Sequence, residues 1–352
     1  PLVGLVITYI FATHIFKDPQ GHGVSTILRI IANGSSKMKR RWVASRMFTS
    51  AITVGFGGSV GLEAPIVLTG SAIGSNIGKE LHLNYKMRTL LIGCGASGAV
   101  AGIFNSPIAG VIFAIEVILS DVSIRKFIPL LLAAVGGSLI AQICIGDELL
   151  FRFTAVEQDV APNLLHYIGL GVFCGFMSVY FERTHYYIET RIESLKQRFS
   201  RPIIGGIGLA LIILFLPPLY GEGYDTPREL INNQEVTMFQ DSLFNSSLFS
   251  MDNTIWFMFL ILFTILMKAV ASSLTIGAGG GGGVFAPSMF VGGLSGFLYT
   301  QCAKYFGFGG TLSSANFTLI GMCGVLSAVL HAPLTGIFLI AEITGGYTLF
   351  VP

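Results

Sequence analysis

Residues 55–65 read GFGGSVGLEAP, and residues 277–287 read GAGGGGGVFAP. Glycine fills the same four places in both stretches, and both close on Ala-Pro. One copy carries an acid, Glu63, where the other carries Phe285. Matching continues outward. Pro1-Leu2-Val3-Gly4 is echoed by Pro202-Ile203-Ile204-Gly205, and GHGVS (21–25) by GEGYD (221–225). LIG (91–93) recurs at 319–321. NSPIAGVIFAIEV (105–117) recurs as HAPLTGIFLIAEI (331–343), with Pro107, Gly110 and Glu116 matching Pro333, Gly336 and Glu342. Five blocks in one order define two homologous halves, 1–146 and 164–352, joined by a polar connection over 147–163. The charges of that connection and its Pro162 predict an exposed loop.

Composition fixes the solvent in which these halves fold. Of 352 residues, 52% are apolar and 11% charged, with mean hydropathy +0.72. A water-soluble domain carries roughly a quarter charged residues. The chain therefore reads as an all-α integral membrane protein, multi-pass in a lipid bilayer. Apolar segments lie near 2–15, 43–60, 62–78, 89–104, 107–120, 127–146, 164–188, 203–220, 254–276, 284–305 and 316–345. Several are shorter than the roughly 20 residues a spanning helix needs, and many are broken by Gly or Pro. Broken backbone at membrane depth survives only inside protein or along a cavity, and transporters use such short helices to aim their ends at ions. The basic clusters SKMKRRW (36–42) and RIESLKQRFSR (191–201) predict the cytoplasmic face. A net charge of +2 implies no nucleic-acid partner.

Other chemistries lack their residues. The five cysteines (94, 144, 174, 302 and 323) show no metal or redox spacing, so no metal and no cofactor are expected. No HExxH, GxSxG or Walker pattern indicates an enzyme. GAGGGGG fits a dinucleotide pattern formally but lacks the strand–turn–helix setting.

The glycine motifs suit anions. Stripping water from an ion costs tens of kcal/mol in an idealised apolar medium, whereas one helix N-terminus returns only about 0.3–2 kcal/mol. Several N-termini and free N–H groups must therefore converge. GHGVS, GLEAP and GVFAP supply three such starts. Candidate anion-contacting residues are Gly21, His22, Gly23, Gly61, Glu63, Ala64, Gly283, Val284, Phe285 and Ala286. Glu63 stands where an anion would be stabilised, so its carboxylate can fill the anion's place until protonated or displaced. Phe285 cannot compete in that way. Glu116 and Glu342, at equivalent places, read as braces for neighbouring helices.

GLEAP, GVFAP and GHGVS, in that arrangement, resemble the signatures of the CLC chloride channels and chloride/proton antiporters over nearly the whole chain. The resemblance implies a CLC-type fold of two inverted-topology repeats with short, tilted and broken helices. It implies transport of chloride and similar monovalent anions through a pore in each subunit of a homodimer, joined through helices near 107–118, 127–144 and 333–343. A bacterial member would sit in the inner membrane. It makes Glu63 the external gate, and the Val284 and Phe285 amides donors to the central ion. The exchangers' usual internal proton acceptor is here Val117, which cannot titrate, so channel-like conduction is expected. Proton-coupled exchange is the alternative, and a non-transporting scaffold or receptor a more distant one. His22, Ser25 and Ala64 depart from the family's usual residues. The resemblance also implies that the chain begins after the family's first helices and ends before its last, where an ion-contacting tyrosine usually lies; Tyr347 is not that residue.

Overall fold

The structure, a computed structural model, describes residues 1–17, 23–119, 124–146, 160–195, 197, 199–232, 254–308 and 312–345. Among them are fourteen α-helices and no β-strand. The first half holds α1 (Leu2–Ile10), α2 (Gly23–Ala32), α3 (Arg41–Gly55), α4 (Glu63–Glu80), α5 (Tyr85–Phe104), α6 (Pro107–Phe113) and α7 (Ile124–Ile145). The second holds α8 (Val160–Glu193), α9 (Ser200–Phe215), α10 (Asp225–Ile231), α11 (Thr254–Gly277), α12 (Phe285–Tyr305), α13 (Ser314–Leu330) and α14 (Pro333–Ile343).

Four stretches are long and apolar enough to cross a membrane: Tyr85–Phe104, Arg125–Ile145, Asn163–Glu193 and Thr254–Gly277. Shorter apolar helices of 10–17 residues include Gly23–Ala32, Ser200–Phe215 and Pro333–Ile343. Two sequence expectations shift. Pro162 lies within helix α8 as described, and residues 147–159 of the expected loop lie outside the described residues. The single apolar run expected over 316–345 is two helices, because His331 adopts the left-handed conformation (φ 52°) and Pro333 begins a new helix. Tyr347 lies outside the described residues.

Equivalent residues stop and start helices in both halves. Asn84 caps α5 by accepting from the Met87 amide at 2.9 Å, and Ser313 caps α13 by accepting from the Asn316 amide at 3.3 Å. Both helices end on a left-handed residue, Asn105 (φ 51°) or His331 (φ 52°), and both successors open on proline.

The helix pairs α4/α5 and α12/α13 pack backbone against backbone. A Cβ on Gly70 would lie 2.2 Å from the Gly95 carbonyl oxygen, and one on Gly292 would lie 2.3 Å from that of Gly321. Lipid tails give helices no hydrophobic reason to associate, so close approach through small residues supplies the packing. That compensates for the roughly 0.5–1 kcal/mol by which mid-helix glycine disfavours a helix.

The halves are related as inverted-topology repeats, and their contacts are reciprocal. Ser59 N–H donates to Thr275 Oγ1 at 3.2 Å, and Gly281 N–H donates to Thr53 Oγ1 at 2.9 Å. Glu116 accepts from the amides of Leu334 (3.1 Å) and Thr335 (2.7 Å) at the start of α14. Glu342 accepts from the amides of Ile108 (3.1 Å) and Ala109 (2.7 Å) at the start of α6. Each acid thus satisfies the orphan donors of a helix in the other half, which is the bracing role expected of the pair.

Candidate functional site

The two glycine loops meet at the centre of this reciprocal arrangement. Gly57 (φ 86°) and Gly279 (φ 89°) turn the chain in a conformation that side chains resist. Four residues later the two loops touch. Gly61 N–H donates to the Gly283 carbonyl at 3.0 Å, and Gly283 N–H donates to that of Gly61 at 2.9 Å. The Gly61 and Gly283 amides are thus paired with each other. Their glycine character is still required. A Cβ on Gly61 would overlap the Glu63 carboxylate, and one on Gly283 would lie 2.4 Å from the Ala64 Cβ.

Immediately beyond the bridge, α4 begins at Glu63 and α12 at Phe285. The first intrahelical bonds are Ile66 N–H to Leu62 (3.1 Å) and Ser288 N–H to Val284 (2.9 Å). The earlier amides of each helix, at Glu63 and Ala64 and at Phe285 and Ala286, therefore lack intrahelical acceptors. Pro65 and Pro287 contribute no donor in those first turns. A third helix start joins them, since a Cβ on Gly23, at the head of α2, would lie 2.8 Å from that of Ala64. Gly23, Ala64 and Gly283 thus come together, and Gly21 and His22 lie outside the described residues.

Glu63 is 2% exposed and folds its carboxylate back over Gly61. The Tyr224 hydroxyl donates to its Oε1. Its Oε2 is buried without a hydrogen bond among the described residues, while the backbone amides of Glu63 and Ala286 act on the carboxylate. The acid of one half therefore lies against the helix start of the other. Phe285 turns away into the core, stacking on Phe104 with ring centroids 5.4 Å apart. Val117 lies in the π turn Ala114–Ile118 that extends α6, half-buried against a core built from both halves.

Sequence reasoning missed three residues here. Tyr224 and Glu222 belong to GEGYD, which reads only as an echo of GHGVS. Glu222 Oε1 accepts from the Leu62 amide at 3.1 Å, one residue before Glu63. Lys268 is completely buried and donates to the Gly221 and Glu222 carbonyls at 3.2 Å each. A lone lysine in the apolar helix α11 was the signal, because intramembrane ionisable groups are functional candidates by default.

A cavity of about 310 Å³ adjoins the same region, lined by Gly23, Gly281 and Gly282 together with Arg46, Arg201, Glu189 and Glu193. Arg201 and Glu193 belong to one of the basic stretches expected to be cytoplasmic.

Three helix starts converge around a buried carboxylate. The sequence pattern of the voltage-gated chloride channel family matches residues 3–352. The chain belongs to this family. It is 28% identical over 350 residues to an uncharacterised protein of Methanocaldococcus jannaschii, covering 98% of this chain and 78% of that one. It is 26% identical to chloride channel protein CLC-f of Arabidopsis thaliana, covering 94% of this chain and 43% of the plant protein. It is 24% identical to the H(+)/Cl(-) exchange transporter ClcA of Vibrio campbellii, covering 98% and 71%. Among solved structures, a slow cyanobacterial Cl⁻/H⁺ antiporter has the same fold at TM-score 0.81 and 20% identity, covering all of this chain and 79% of that one. A CLC-type fluoride/proton antiporter matches at TM-score 0.76 and 23% identity, covering all of this chain and 82% of that one. CLC members are channels or transporters set in the membrane by many helices, and this chain is a multi-pass membrane protein that transports anions.

Proposed function

We propose that the protein passes chloride and similar monovalent anions through a pore in each subunit, gated by Glu63. The observation that carries this is the Glu63 carboxylate held against the helix start of α12, where an anion would gain the same amides. The first-turn donors are Ala64, Val284, Phe285 and Ala286, with Gly23 at the head of the third helix start. The repeat units are 1–146 and 164–352. The subunits pair as a homodimer through α6, α7 and α14, whose exposed Ile108, Ile128, Leu132 and Leu334 give an apolar surface.

Conduction is channel-like in this reading, because Val117 offers no proton site where exchangers usually have one. Chloride/proton exchange is the second reading, favoured by Glu189 and Glu193 on the cavity wall, which give protons another acidic route toward the site. Reversal potential in liposomes under crossed chloride and pH gradients separates the two. A channel follows the chloride gradient alone, and reversal insensitive to pH is the expected result. Exchange displaces the reversal potential with the pH gradient. Absence of any chloride current or flux would overturn anion transport itself.

A further inference from the structure

The gate has a neighbour whose chemistry the anion site does not require. Glu222 is half-buried in the turn before α10 and rests on the Leu62 amide at 3.1 Å. Its carboxylate faces Glu63 across the start of α4, Lys268 from α11, and Asp225 from the head of α10. The same turn presents the Tyr224 hydroxyl to Glu63. Lys268 fastens the turn from below through the Gly221 and Glu222 carbonyls, with its ammonium 4.8 Å from the Phe290 ring centroid. Gly223 (φ 86°) allows this closure, because a Cβ there would lie 2.8 Å from the Phe290 ring and 3.0 Å from Lys268 Nζ.

Burying a lysine costs several kcal/mol unless it is well paired. Glu222 is the acid that faces Lys268, so the two groups act on each other as well as on Glu63. A second acid beside Glu63 makes its ionised form harder to keep, and a cation behind that second acid offsets the effect. We infer that Glu222 is a positioning residue for the gate: its charge, moderated by Lys268, sets the external proton concentration at which Glu63 yields its place to the anion. This rests on Glu63 being the gate, and deepens that reading by naming what tunes it.

Glu222→Gln separates charge from shape. The amide oxygen still accepts from the Leu62 amide, so a purely structural role is preserved while the charge is lost. Chloride efflux from proteoliposomes is recorded against external pH. The expected result is that the midpoint moves to more acidic pH, requiring about tenfold more protons. Glu222→Asp restores the wild-type midpoint, and Lys268→Met moves it the opposite way. Glu222→Gln with Glu63→Gln behaves as Glu63→Gln alone. An unmoved midpoint in Glu222→Gln, with the pH response abolished in Glu63→Gln, overturns the role of Glu222 and leaves the gate standing. If Lys268→Met does not fold, the Glu222→Gln and Glu222→Asp midpoints alone decide the matter. A pH response surviving in Glu63→Gln overturns the gating reading, and this inference with it.

Discussion

Glu63→Gln is expected to give anion flux that no longer responds to external pH. Wild-type flux should rise as external pH falls, because protonation of Glu63 removes the competing charge from the helix starts. Glutamine keeps an oxygen for the Tyr224 hydroxyl and nearly the same volume, yet carries no charge at any pH. The variant therefore resembles the protonated protein throughout. Losing about 1.4 kcal/mol of competition is tenfold in anion occupancy, so flux at alkaline pH should rise at least about tenfold toward the acid value. Chloride efflux from liposomes across an external pH series reads this directly. An unchanged pH profile removes Glu63 from gating, however well its carboxylate sits.

The second large effect is on folding. Gly292→Leu should abolish the folded protein, because its Cβ would be 2.3 Å from the Gly321 carbonyl oxygen and also close to that residue's carbonyl carbon. No flexible side-chain end is available to move; the obstacle is the backbone of α13. Even ordinary core overpacking costs about 1–3 kcal/mol, and here the α12/α13 pair must separate along its length. Because α12 carries the Phe285 and Ala286 amides at its head, the site would be lost with it. The check is size-exclusion chromatography in detergent with a thermal ramp. Gly292→Leu should run as aggregate, while Gly175→Ala, whose Cβ would meet open space, should match wild type. A monodisperse, thermally unshifted Gly292→Leu would refute the account of how these helices pack.

Much of this architecture was readable from residues because the chain states it twice. The GLEAP/GVFAP repeat placed both loops at one pathway, and the Gly61–Gly283 bridge is where they meet. The matched acids Glu116 and Glu342 read as braces, and each binds the opposite half's helix start. What the repeat could not state was which groups the symmetry relation brings together across the centre. Tyr224 reaches Glu63 from 161 residues away, and nothing local to GEGYD encodes that. The pairing of the Gly61 and Gly283 amides between the halves is likewise invisible in sequence. Lys268 was legible in principle, since one ammonium among so many apolar neighbours must find acceptors, but its partners had to be seen.

The central claim is that the Glu63 carboxylate and a permeating anion compete for one place. Chloride binding counted by isothermal titration calorimetry tests it most directly. Glu63→Ala empties the place without refilling it, so the account predicts one more chloride bound per subunit than in wild type at neutral pH. An equal number of bound chlorides in both proteins would contradict it.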